Sequence, residues 1–273
     1  MKIQSFFLLL FLSVTAQSQN FLSWKYNDRY FSLSAGTGSS SYFGELNYNN
    51  SIKAGLNQVN AGIEARLLNR VGARIEATYF KISGDDANAA DSSFQRQRNL
   101  SFESNNFQIH FAAIYYLKPY QGDYYRRWAF DPYLIAGAGY MFYNPTATLG
   151  DERFSLREAQ TEGVSYNKWV WTLPLGAGAK FKVNDFMNVN IEVLYHITFT
   201  DYLDDVSATY ATEFASSTAE LLSDRKEEIG VRNPEFYDQI RPGAKRGDPA
   251  NNDKFLLINL KFEVFIPPGL FKR

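Results

Sequence analysis

The sequence contains no cysteine, so no disulfide framework can staple it and no N-terminal thiol is available to carry a lipid anchor. Histidine is nearly absent: His110 and His196 are the only two. Charge of one sign is missing as well. The 28 Lys and Arg against 29 Asp and Glu leave a net charge of -1, which argues against a nucleic-acid surface, since such a surface needs a clustered basic excess. Past the first sixteen residues, no run approaches the roughly 18 consecutive apolar residues of a membrane-spanning helix.

What is present begins with Lys2, followed by the short apolar run Phe6 to Leu12 with Val14 and the small residue Ala16. This order reads as a secretory signal cleaved after Ala16, because about ten apolar residues are too few for a spanning helix. Residues 1–16 are therefore expected to be a signal peptide and residues 17–273 one large all-β domain. Aromatic content is high at 16%, yet mean hydropathy is only -0.33. A transmembrane β-barrel reconciles the two, since its strands need apolar residues only at alternate positions.

Period-two alternation runs through eight segments. Phe107, Ile109, Phe111, Ala113, Tyr115 and Leu117 face away from Gln108, His110 and Lys118. Val189 to Phe199 and Leu256 to Ile266 alternate in the same way, as do Val59 to Leu67 and Val71 to Tyr79. Tyr30 to Leu46, Asp131 to Pro145 and Lys168 to Lys182 complete the set. Their glycines, such as Gly36, Gly38 and Gly137, suit strands that bend sharply in a narrow barrel.

Connection lengths separate this reading from a soluble sandwich. The turns near Asn69–Arg70, Tyr120–Arg127 and Asn184–Asp185 are short. Those over Gly84–Ser104, Ala147–Asn167 and Leu203–Asn252 are long. Short and long connections thus fall on opposite ends, as in barrels with short periplasmic turns and long extracellular loops. The expected fold is an eight-stranded antiparallel transmembrane β-barrel in the cell outer membrane, surrounded by outer-membrane lipid. Its lumen would hold Glu64, Arg66, Arg74, Glu76, Lys180, Lys182, Glu192, Lys261 and Glu263. Tyr30, Trp128, Tyr133, Tyr143, Trp169 and Trp171 would sit in aromatic girdles at the membrane interfaces.

Chemistry is thinly represented. A hydrolytic barrel needs a His beside a Ser and a carboxylate, whereas Glu192 and His196 on one strand face lie about 13 Å apart. No catalytic, cofactor-binding or metal residue is assigned. Acidic stretches at Gly84-Asp85-Asp86 and Asp201, Asp204 and Asp205 suit calcium in their oxygen chemistry, and suit turn-forming punctuation equally. Arg246-Gly247-Asp248 matches an adhesion tripeptide, but the following Pro249 makes it read as a turn. Ser217-Thr218-Ala219-Glu220 reads as a capping box opening a short helix. The turn carrying Tyr124, Tyr125, Arg126, Arg127 and Trp128 is longer than a hairpin needs and rich in residue types that anchor interfaces. It is the candidate partner contact.

Several stretches resemble a known family. They are Phe199-Thr200-Asp201-Tyr202-Leu203-Asp204-Asp205-Val206-Ser207, Gly44-Glu45-Leu46, Gly84-Asp85-Asp86, Arg98-Asn99-Leu100-Ser101-Phe102, Pro132-Tyr133-Leu134 through Asn144-Pro145, and Arg246-Gly247-Asp248-Pro249 with Asp253. Together they are similar to the Bacteroidetes outer-membrane barrels typified by PorG, a component of type IX protein secretion. The sequence departs from that pattern between about Phe214 and Lys245. The resemblance implies a non-enzymatic barrel, without cofactor, that links the outer membrane to a periplasmic ring lipoprotein of the secretion and gliding machinery. Two other readings stand beside it: a surface or adhesion barrel whose outer loops bind ligands, and a lipid-A hydrolase or omptin-like protease barrel.

Overall fold

The computed structural model describes residues 30–48, 52–122 and 125–266. The expected signal peptide and the segment after Ile266 lie outside them. Among the described residues ten strands form: β1 (Phe31–Phe43), β2 (Gln58–Arg66), β3 (Val71–Asp85), β4 (Ser101–Tyr116), β5 (Phe130–Phe142), β6 (Pro145–Leu149), β7 (Glu152–Ser155), β8 (Trp169–Lys182), β9 (Met187–Thr198) and β10 (Lys254–Ile266). Eight of them close into an antiparallel barrel. Each pairs with its neighbour from β1 through β5, β8, β9 and β10, and β10 returns to β1 from Phe31↔Ile266 to Phe43↔Lys254. Closure leaves no barrel strand with an unpaired edge, which hydrocarbon requires.

The alternation places the faces as expected. On β3, Ile75 and Tyr79 are exposed, at 57% and 50%, while Arg74 and Glu76 on either side of Ile75 are buried. Outward residues run from Val71 to Tyr79, roughly 20 Å along the membrane normal for a strand tilted by about 40°. Beyond Tyr79 the outward positions turn polar, and Lys81 pairs with Glu103. That change marks the upper limit of the apolar band. Glycine serves where strands approach most closely: a Cβ on Gly38 would run into the Ile258 carbonyl, and one on Gly137 into the Phe111 carbonyl.

Four differences from the sequence reading stand out. First, β3 and β4 extend beyond the membrane, pairing Lys81 to Asp85 with Asn105 to Ser101. The connection between them is therefore residues 86–100 and carries a helix, α1 (Phe94–Arg98). Second, the connection after β5 is not irregular: β6 and β7 form a hairpin, and β6 adds to β4 at Glu103 and Ser104. Third, Tyr30, Tyr133 and Tyr143 are buried, at 5%, 1% and 1% exposure, and do not sit in girdles. Exposed aromatics near the strand ends are instead Tyr79, Phe107, Tyr140, Trp169, Trp171 and Phe199 towards the long loops, and Tyr115, Trp128, Phe130, Phe181 and Phe186 at the other end. Fourth, Lys118 and Lys182 lie at the short-turn mouth. There Lys118 bonds the Phe130 carbonyl and Lys182 pairs with Asp185 at 2.8 Å. The capping-box helix forms as α3 (Ser217–Ser223), after α2 (Leu156–Ala159), but its cap is Ser216, one residue early.

The barrel interior holds the ion pairs, and a buried apolar cluster runs from its inward-facing Phe80, Ile114, Ile135, Leu194 and Phe255 into the long-loop end. Tyr42, Leu46, Ile82, Leu100, Phe102, Leu203, Val206 and Leu222 are almost fully buried in one cluster at the long-loop end. The described residues of the connections after β1, β3, β5 and β9 thus fold together into a cap over the barrel.

Candidate functional site

Three regions carry the polar chemistry, and each is assembled from distant parts of the chain. In the lumen, Arg74 reaches Glu64 (2.8 Å), Glu192 (2.6 Å) and Glu76 (3.6 Å). Lys180 bridges Glu64 (2.5 Å) and Glu263 (2.7 Å), and Lys261 bridges Glu76 and Glu192, both at 2.5 Å. Tyr133 donates to Glu192 at 2.5 Å. Period two delivers these charges inward, and pairing offsets part of the desolvation that burial imposes. The network fills the bore with side chains, as a barrel of this size permits. His110 and His196 lie inside too, at 1% and 0% exposure. His196 stacks on Phe255 and its Nδ1 lies 3.3 Å from Gln108 Nε2. Among the described residues neither histidine bonds a serine or a carboxylate.

At the short-turn mouth, the Arg66 guanidinium lies 3.5 Å from the Tyr116 ring centroid and pairs with Asp131 at 3.5 Å. Tyr30 packs against Tyr120 and Phe265. The turn over residues 117–129 folds across this stack, and the candidate contact residues divide there. Arg127 donates to the carbonyls of Asp185 (2.8 Å) and Asn184 (2.9 Å), and its guanidinium covers the Phe265 ring at 3.8 Å. Trp128 donates to the Pro119 carbonyl at 2.8 Å. These two hold the turn in place. Tyr125, 44% exposed, and Arg126 face outward. Tyr124 lies outside the described residues.

At the opposite end, the acidic stretches and most of the family-like ones converge. Asp86 takes Arg98 (2.8 Å) and the Leu100 amide (2.8 Å), so the Gly84-Asp85-Asp86 stretch is internally satisfied. Arg98 donates onward to the Arg246 carbonyl at 2.7 Å. Arg246 itself is buried at 3% exposure, paired with Glu162 at 3.0 Å and near Asp205 at 3.7 Å. The adhesion-like tripeptide is therefore a strut of the cap. Asp205, although Arg246 favours its charged form, is pushed up to about 6 by burial. The Asp248 amide donates to Glu45 Oε1 at 3.2 Å, and the Leu203 amide to Asp253 Oδ2 at 2.9 Å. The sequence flagged the individual stretches, but not that Glu45 and Asp253 belong beside Asp201 and Asp204.

A closed eight-strand barrel, apolar outside and ion-paired inside, with short turns at one end and a folded cap at the other, defines a transmembrane barrel of the outer membrane. The chain belongs to the outer membrane protein beta-barrel domain family, whose sequence profile matches residues 5–215. It is an outer-membrane protein. Comparison with curated protein sequences gives no match. Among solved structures, the N-terminal β-barrel domain of Pseudomonas aeruginosa OprF is 11% identical, covers 86% of this chain and 97% of its own, and has a TM-score of 0.38. Neisserial surface protein A is 12% identical, with 86% and 96% covered and a TM-score of 0.39. A major outer membrane protein from Thermus thermophilus is 11% identical, with 87% and 99% covered and a TM-score of 0.45. Nothing about this chain's activity follows from those likenesses.

Proposed function

We propose that the chain is a non-enzymatic accessory barrel of a type IX secretion machinery, similar to PorG of Bacteroidetes. In this reading it anchors a periplasmic ring lipoprotein through the turn over residues 117–129. One observation carries the reading. Most of the stretches that resemble the family, some separated by more than 200 positions, meet side by side in the cap, as in the Asp86–Arg98–Arg246 and Glu45–Asp248 contacts. A resemblance made of chance matches has no reason to assemble into one packed unit. Two further features agree. The lumen is filled by ion pairs rather than left open for transport. Both histidines are enclosed, away from any surface a lipid or peptide substrate could reach.

The contact itself is assigned to Tyr125 and Arg126, since Arg127 and Trp128 are engaged in holding the turn. A surface-recognition role is the second reading, favoured by the exposed apolar Leu221 and Val231 on the outer cap. The test pairs two variants in the native host. Tyr125→Ala with Arg126→Ala should leave outer-membrane levels normal, yet reduce secretion of type IX cargo and crosslinking to the ring. Leu221→Ala with Val231→Ala should leave both unchanged. If the outer pair stops export while the turn pair secretes normally, the surface-recognition reading takes its place.

A further inference from the structure

The outer ends of three adjacent strands bring together carboxylates that no basic group neutralises. Glu45 follows β1, Asp201 follows β9, and Asp253 immediately precedes β10, which lies between them in the sheet. One carboxylate oxygen from each lies within 4.8 Å of the others. Asp204 joins the group through Tyr42, whose hydroxyl is 2.6 Å from Asp204 Oδ2 and 2.8 Å from Asp253 Oδ1. That hydroxyl has one proton and cannot satisfy both. Among the described residues, no Lys or Arg forms an ion pair with any of the four. Arg98, whose charge is felt at Glu45, is committed to Asp86.

Asp201 is the telling member. It is 94% buried by its 6% exposure, and neither of its carboxylate oxygens meets a hydrogen-bond partner among the described residues. The Ser207 hydroxyl is close enough to favour its charged form without reaching hydrogen-bond geometry. Glu45 Oε2 is likewise buried and unpartnered. Three buried carboxylate oxygens are therefore left without a partner in a group that also draws in Asp253. Burying such groups unsatisfied is costly.

We propose that Glu45, Asp201 and Asp253 bind a calcium ion, which ties the outer ends of β1, β9 and β10 together. The donor set is all oxygen and strongly anionic, as a hard cation prefers. The three carboxylates come from flexible-length connections rather than one rigid motif, which suits the irregular coordination of calcium better than the strict octahedron of magnesium. Without a cation, burial and mutual repulsion push both Glu45 and Asp201 up to about 7, and raise Asp204 and Asp253 well above the carboxylate range. A cation removes that repulsion. The inference is independent of any role in secretion.

The test uses the full-length protein purified in detergent, freed of metal with a chelator and titrated with calcium chloride by calorimetry near pH 7.5. One ion per chain should bind, with a dissociation constant of about 0.1–1 mM, typical of extracellular calcium modules. Calcium should also slow trypsin cleavage within residues 199–253. Asp201→Asn should weaken binding by about tenfold or more, as expected for loss of a charged ligand, and should raise the thermal midpoint of the metal-free protein. Asp91→Asn, on an exposed loop, should bind as the wild type does. The proposal is overturned if the wild-type protein binds no calcium at about 10 mM, well above the expected range. It is overturned equally if Asp201→Asn binds as tightly as wild type, or if magnesium binds as tightly as calcium.

Discussion

Replacing Arg74 with Met tests whether the lumen is held by its charge pattern or merely filled. Arg74 is among the largest fully buried side chains and touches three carboxylates. Removing one partner of a buried ion pair commonly costs about 3–5 kcal/mol, because a charge is left uncompensated. Here the remaining cations soften the loss: Glu64 keeps Lys180, and Glu76 and Glu192 keep Lys261. The expected cost is accordingly near the lower end, about 3 kcal/mol. With Arg74, Lys180 and Lys261 set against Glu64, Glu76, Glu192 and Glu263, the variant adds one uncompensated negative charge to a network already in acidic excess. Adding Glu192→Gln removes that excess charge, and the double variant should regain about 1–2 kcal/mol, within the coupling expected for contacting residues. Urea unfolding of the refolded barrel, followed by tryptophan fluorescence and heat-dependent gel mobility, reads both values. Additive losses in the double variant, or a single variant within about 0.5 kcal/mol of wild type, would show that packing alone sustains the lumen.

Ile191 faces lipid at 47% exposure in the middle of β9, so Ile191→Arg should cost about 2–4 kcal/mol while Ile191→Leu costs under about 1.5 kcal/mol; equal unfolding midpoints for the two would refute the facing. The metal-free cap should lose stability as pH rises. Glu45 and Asp201 are held protonated in the folded state up to about 7, from ordinary values of 4.5 and 3.8, so their favourable contribution is complete below about 4 and fades as pH climbs towards 7. Thermal scans from pH 4.5 to 8 in chelator should fall over that window. Saturating calcium should flatten the fall, and a midpoint that rises with pH in chelator would contradict the assignment.

The barrel was legible in the sequence because its rules are local. Alternation showed which side chains face lipid, so Ile75, Ile191 and Phe262 emerged on the correct face; its eight segments set the number of strands, and the sorting of short and long turns separated a barrel from a sandwich. The cap was not legible, because its contacts join positions such as Tyr42 and Asp253, 211 residues apart, and no periodicity encodes such meetings. The same blindness misplaced Tyr133 and Tyr143. An aromatic near a strand end suits either an interfacial girdle or an inward plug, and only the register that brings Tyr133 to Glu192 chooses between them. The candidate turn was visible in composition, but its division into Arg127 and Trp128 that hold and Tyr125 and Arg126 that project required the partners Asp185 and Pro119.

The cap also bears on how this surface can change over evolutionary time. Extracellular loops of a barrel ordinarily drift one by one, since each hangs from its own pair of strands. Here loop 86–100 is pinned to the segment after β9 through Gln97, which donates to the Gly230 carbonyl and accepts from the Arg232 amide, and Arg98 reaches Arg246 in the same segment. A substitution at any of these positions has to be answered elsewhere in the chain. Sequence drift and loop grafting are thereby confined to the outward rim, around residues 212–215 and 238–239, while the rest of the outer surface is inherited as a block.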